Sequence, residues 1–339
     1  MKLGVNLVYS GAAEIAREAE ILEYELCLAP EGFRSDAVSV LGLVAGCTTR
    51  ISIGSAVMQI PARPPATTAL TAATLNAISD GRFRLGLGVS NSDVSRGWYN
   101  VPFEDPISRT REYIQIVRKS LYGEPTVYKG KYYSLPGVET PLRITTEPSA
   151  HDLPIYLAAS GPRNLALAGE ICDGWIGVFV EPDDVRLAID KIGAAREYRN
   201  MAGFGAVPCI PASIGDSLSE CIDSLRLHYS LMMGVGDVSK NFYCKLASSK
   251  GFKEAAEATN RYVRRGQLRK AMASVPAEFI ERTALVGGVN RVAERMEEYA
   301  DAGANVLSIM ASALDSDLSG RLVLLESASE ALSRSGVMA

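Results

Sequence analysis

The 339-residue chain predicts a single (β/α)8, or TIM, barrel, and three observations carry that prediction. From residue 2 to residue 89, short apolar runs alternate with amphipathic segments four times over, the pattern of parallel strands joined by right-handed crossovers. The alternation resumes at 155–179, and further runs at 207–214 and 305–310 bring the strand count to eight. Two stretches break the period, 123–149 and 216–282, and each reads as an insertion between barrel units. An open doubly wound sheet is the alternative, but it would divide a chain of this length into two domains. One domain spanning 1–339 is the expectation.

The elements follow in order. Residues 2–8 alternate and then run apolar, a strand, and 12–24 place Ala12, Ile15, Ala16, Ala19 and Leu22 at helical spacing. A second strand at 26–29 is broken by Pro30-Glu31-Gly32-Phe33, after which Asp36 caps a helix ending near Gly46. The third strand, 51–58, stops at Gln59-Ile60-Pro61; a helix follows at 65–78, and Asp80-Gly81 turns the chain into the fourth strand, 83–89. A polar loop fills 90–106 and an amphipathic helix 108–121, and YKGKYYSL within 123–149 reads as a small hairpin. The fifth strand, 155–159, gives way to Ser160-Gly161-Pro162 and a helix through Leu165, Leu167, Ala168 and Ile171. The sixth strand is 175–179, with a helix at 183–200 and the seventh strand at 207–214. Residues 216–282 are almost wholly helical, longer than one barrel helix, and a helix at 290–302, the eighth strand and a closing helix at 319–333 complete the chain.

Composition narrows the function. Hydrophobic residues make up 47% and charged residues 22%, enough for a large buried core. A net charge of -4 without a dense Lys/Arg stripe argues against nucleic acid. No apolar run approaches the roughly 20 residues that span a bilayer, and MKLGVNLVYSG reads as a strand rather than a signal peptide. The six cysteines stand singly, with no CxxC, as reduced residues of a cytoplasmic protein would.

Barrel chemistry sits where strands end and βα loops begin. That rule selects Tyr9 and Ser10, Glu31, Ala56-Val57-Met58-Gln59, Ser90-Asn91-Ser92-Asp93, Ser160-Gly161 and Phe179-Val180-Glu181. The ionisable members are few: Glu31, Asp93, Arg96 and Glu181. Neither His151 nor His228 lies at a strand end, so no metal set and no Ser-His-Asp triad is expected. GLGVSN is no dinucleotide fingerprint, because Asn91 stands where a third glycine belongs. Ser160 and Gly161 are either an ordinary helix cap or a phosphate turn at the positive end of the helix dipole. A site poor in acids, bases and metals, with a phosphate turn, points to a bound cofactor that carries the chemistry.

Several segments carry a resemblance. CTTRISIGSAVMQIPARPPATTALTAATLNAISDGRFRLGLGVS, GWYNVPFEDPISRTREYIQIVRKSLYGE, LPIYLAASGPRNLALAGEICDGWIGV and TALVGGVNRVAERMEEYADAGANVL resemble the bacterial luciferase-like superfamily, in order along nearly the whole chain. AVMQIPARPPATTA, VPFEDPISRTREY, AASGPRNLALAGEICDGW and NFY are similar to its branch of coenzyme F420-dependent oxidoreductases. The resemblance implies a barrel that binds coenzyme F420, or FMN in the alternative, at the strand C-termini. It implies a non-prolyl cis peptide within Ala56-Val57-Met58 against the central ring and a phosphate contact from Ala159-Ser160-Gly161. Ser90 and Asn91 would line the cofactor, and Glu31 would lead proton handling, with Asp93 and Tyr9 as further candidates. Relatives read close to SGPQVVEGW where this chain reads SNSDVSRGW, so Asn91, Ser92, Asp93 and Arg96 point to an unusual substrate or altered cofactor contacts.

The implied activity is hydride transfer to or from a small organic substrate, reducing an activated C=C or C=N bond or oxidising an alcohol. An FMN-dependent monooxygenase served by a separate reductase, and a non-catalytic cofactor-binding barrel, are the alternatives. Loops 31–35 and 90–100 and the helical segment 230–280 would build the substrate pocket, with Tyr99, Phe103, Met232, Met233, Phe242 and Tyr243. A homodimer is expected, with the small-residue helix 65–78 either packing against the partner or against the barrel wall.

Overall fold

Eight parallel strands close into a ring: β1 (Lys2–Asn6), β2 (Leu26–Ala29), β3 (Ser52–Ser55), β4 (Phe83–Gly88), β5 (Ile155–Ala158), β6 (Gly174–Val178), β7 (Gly205–Ile214) and β8 (Val306–Met310). Each strand pairs with the next, and β8 closes on β1 with Lys2 opposite Val306 and Val5 opposite Ile309. The computed structural model describes residues 1–33, 35–147, 150–196 and 200–338. Position 34 of the expected 31–35 pocket loop, positions 148–149 of the insertion, 197–199 of the expected 183–200 helix and residue 339 lie outside the described residues.

The expected barrel is therefore present, and the apolar runs form its strands because both of their faces are covered. One face meets the outer helices through a core that includes Val5, Ile53, Phe83, Leu85 and Leu157. The other fills the barrel with Leu26, Leu28, Tyr156, Ile176, Val207 and Cys209. Caps set helix starts locally, as when the Asp36 carboxylate accepts the Ser39 N–H at 2.9 Å. Among the described residues, no helix is long and apolar enough to cross a membrane.

Several details differ from the sequence reading, among them a short helix, Ser92–Gly97, within the expected polar loop. The third strand is interrupted: after Ser55 the chain leaves the sheet and rejoins at Met58–Gln59, opposite Leu87 and Gly88. The helix after β5 is capped by Gly161, not Ser160, and without a side-chain hydrogen bond. Leu285–Gly287 is a short strand outside the ring, added to the far end of β7.

Both insertions form as expected. Tyr128–Lys129 pairs antiparallel with Ser134–Leu135. The hairpin is held by Glu112, whose carboxylate accepts the backbone N–H groups of Lys131, Tyr132 and Tyr133 at 2.8–3.1 Å. The second insertion contains five helices, from Leu218–Gly234 to Ala277–Thr283, with a core of its own around Leu225, Tyr229, Met233 and Phe279. Phe179, just beyond β6, and Met310, at the end of β8, pack against that core and seat it over one side of the barrel mouth.

Candidate active site

The mouth is built around the break in the third strand. The Ala56–Val57 peptide is cis, in the segment where the resemblance implied such a bond. Two glycines in β4 give that segment its room. A Cβ on Gly86 would lie 1.9 Å from the Ser55 carbonyl oxygen, and one on Gly88 would lie 2.4 Å from a Val57 methyl. Glycine inside a strand marks a place where another chain segment comes close, and here it is the bulge itself. The Ser55 hydroxyl fastens the contact by donating to the Gly86 carbonyl at 2.7 Å and accepting the Gly86 N–H at 3.0 Å.

The result is an apolar shelf. Ala56, Val57, Ala158 and Met310 rest on the residues that fill the barrel. Beneath them the Ser308 hydroxyl donates to Asn6 Oδ1 at 2.8 Å. Burial pushes the neighbouring Cys209 thiol up to about 12 against the pull of its hydrogen bonds to Asn6 and Ser308, so it stays neutral at physiological pH.

The acids selected from the sequence are already engaged. Glu31 accepts Arg63 Nη1 at 2.7 Å and Nη2 at 2.5 Å, a bidentate pair, and takes the Gln59 N–H at 2.8 Å. Its side chain is 5% exposed and that of Arg63 is 17% exposed, so the pair is largely desolvated. Gln59 adds a bond from Nε2 to the Glu31 carbonyl at 3.1 Å. Glu31 therefore clamps the chain immediately after the break in the strand. Asp93 is bound by Lys240 at 3.1 Å, and that hydrogen bond holds its carboxyl below the usual range. Glu181 binds Lys250 at 2.7 Å and Arg282 at 3.1 Å, which ties the helical insertion to the end of β6. Tyr9 stands 59% exposed beyond β1.

The unusual SNSD loop has a local explanation. Ser90 takes a left-handed backbone conformation, φ 59°, and a short helix, Ser92–Gly97, starts directly after it. The Asn91 side chain caps that helix by accepting the Asp93 and Val94 N–H groups, each at 3.0 Å. Asn91 and Asp93 thus organise the loop, and Trp98 beyond it meets Phe33 edge-on at 5.8 Å, an exposed aromatic rim.

Across the mouth, Trp175 donates its indole N–H to the Ala159 carbonyl at 2.7 Å and holds the turn of Ala159, Ser160 and Gly161. Ser160 and Gly161 are exposed, and nothing lies within 4 Å of where a Gly161 Cβ would stand. An exposed helix start without a side-chain cap leaves N–H donors for an anion. The 56–58, 90–91 and 159–161 segments thus follow three neighbouring strands, β3, β4 and β5, at one end of the barrel. Of the apolar residues named for the substrate pocket, Phe103 lines a cavity of about 400 Å³ beside the shelf, whereas Met233 is buried in the insertion core and Tyr243 packs on Phe179 at 5.1 Å. Arg63 and the two β4 glycines were missed by sequence reasoning. The glycines carried a signal, alternate Gly in an apolar strand; Arg63, between prolines in a loop, carried none.

The sequence profile of the luciferase-like monooxygenase family matches residues 3–305. A Mycobacterium tuberculosis protein, provisionally named a coenzyme F420-dependent oxidoreductase, is 32% identical over 334 residues, covering 93% of this chain and 96% of the relative. Among solved structures, the coenzyme F420-dependent tetrahydromethanopterin reductase from Methanopyrus kandleri superposes with a TM-score of 0.82 at 22% identity, covering 96% of this chain and 97% of that one. An F420-dependent secondary alcohol dehydrogenase, solved with an F420–acetone adduct, has a TM-score of 0.76 at 17% identity and covers 96% and 98%. The last two are likenesses of fold.

Proposed function

The chain belongs to the luciferase-like monooxygenase family, and on that premise we propose that it is an oxidoreductase using coenzyme F420 on a small organic substrate. The near full-length match to the M. tuberculosis protein carries the reading. The mouth offers what such a cofactor needs: an apolar shelf for a ring, and a helix start with no side-chain cap for a phosphate. Ala56 and Val57 would support the ring, Ser90 and Asn91 its edge, and Ala159, Ser160 and Gly161 the phosphate, whereas Met58, 1% exposed, packs into the outer core behind the shelf.

When bound, the deazaflavin supplies two-electron hydride chemistry, either reducing an activated C=C or C=N bond or oxidising an alcohol. This chain's residues position the reactants and exclude water. Among the three proton candidates, Glu31 has both oxygens occupied by donors and Asp93 is held ionised by Lys240. We therefore assign proton exchange with the substrate to Tyr9 at the rim, and give Glu31 the task of fixing the shelf through Arg63 and Gln59. The family's own name favours a second reading, an FMN-dependent monooxygenase with a partner reductase.

Titration with coenzyme F420 and with FMN, followed by fluorescence quenching, separates the two. Saturable coenzyme F420 binding without FMN binding is expected; FMN binding alone would overturn the first reading. The same proposal places the protein in the cytoplasm as a homodimer, with exposed Leu43, Leu70 and Ile78 on the outer helices Ala37–Cys47 and Pro65–Ile78 as the contact. Leu70→Glu should halve the mass seen by light scattering.

A further inference from the structure

None of the shelf residues Ala56, Val57, Ala158 and Met310 lines the cavity, whose volume of about 400 Å³ lies within the range of small-molecule sites. Three segments wall it with apolar groups: Ile60 and Pro65 after the strand break, Val89 and Phe103 after β4, and Tyr133 and Leu135 from the hairpin. Its charged lining is sparse. Arg63 is committed to Glu31, and Glu104 is exposed. Arg109 is different: its guanidinium carbon lies 5.0 Å from the centre of the Tyr132 ring, and it has no carboxylate partner among the described residues. Its Nε is buried with no hydrogen-bond partner. A buried donor left unsatisfied is costly, more so when charged, so it favours a ligand that brings an acceptor. A guanidinium stacked on an aromatic face keeps its edge available for bidentate pairing with a carboxylate.

We propose that this cavity seats the body of an apolar carboxylic acid, with Arg109 binding the carboxylate, and that such acids are the substrate class. The substrate half of this statement rests on the oxidoreductase reading above; the binding half does not. Ile60 and Val89 follow directly on Gln59 and Gly88, so the cavity opens at the same end of β3 and β4 as the shelf, and the acid's far end is directed toward it.

Calorimetric titration of the full chain without cofactor tests the seat, using decanoate against 1-decanol and 2-naphthoate against 2-naphthol. At least one acid should bind about tenfold tighter than its alcohol, the gain expected of a charge-assisted bidentate pair. Arg109→Gln should abolish that preference and Arg109→Lys should retain part of it, each with an unchanged circular dichroism spectrum. Ala66→Trp, which obstructs the cavity from an exposed lining position, should weaken acid and alcohol alike. Equal binding of acid and alcohol, no binding of either acid, or a preference that survives in Arg109→Gln would overturn the proposal. Coenzyme F420 titration of the same samples is read separately, so failure of the cofactor reading leaves this result standing, and the reverse.

Discussion

Gly86 has no room for a side chain. An added Cβ would stand 1.9 Å from a backbone oxygen, and a backbone atom in a closed sheet cannot yield as a rotamer can. Gly86→Ala should lower stability by about 3 kcal/mol, near the upper end of overpacking costs, read as a fall in the denaturation midpoint. A smaller change than 1 kcal/mol would show that the bulge can relax. Glu31 invites a different test. Replacing it with Gln keeps the shape but leaves the Arg63 guanidinium in a largely desolvated place without its counter-charge, at a cost of about 3 kcal/mol. If Glu31 fixes the shelf, Glu31→Gln should lower kcat/KM and leave the form of the pH–rate profile unchanged. Loss of one limb of that profile would return Glu31 to proton transfer.

At the scale of elements, insertions are attached by a few well-placed carboxylates. One side chain on the helix Pro106–Leu121, Glu112, takes three hairpin N–H groups and is 9% exposed. Glu112→Ala should cost about 2 kcal/mol, since the freed donors find water only in part. The hairpin should then be cut faster by trypsin at Lys129 and Lys131. The same variant should weaken any ligand of the cavity that Tyr133 and Leu135 wall. The SNSD loop follows the same logic: an Asn cap and an Asp–Lys bridge hold it.

For the whole molecule, the junction between barrel and helical insertion should be pH-sensitive. Burial raises the Glu181 carboxyl, but hydrogen bonds from Lys250 and Arg282 outweigh it and the net shift is downward from the ordinary 4.5. A depressed folded-state value means that the contribution is complete above the unfolded value and is lost as pH falls through the folded one. Thermal melts should show wild type more stable than Glu181→Gln at pH 7, with the gap closing as the pH drops below about 4.5. A constant gap across that window would mean that the charge is not what Glu181 contributes.

The sequence by itself determined the order of the barrel strands and helices and the place of both insertions. Those follow from local periodicity and turn residues such as Asp36 and Asp80-Gly81, which act over a few positions. Only the tertiary structure decided which partners the mouth residues hold. Glu31 and Arg63 are 32 positions apart, and Asp93 and Lys240 are 147 apart, so nothing periodic links them. The choice between a free acid and a committed one depends on closure of the ring and on where an inserted segment lands. That is why Glu31 reads as a proton carrier in the sequence, while only the fold shows its carboxylate held by Arg63 and Gln59.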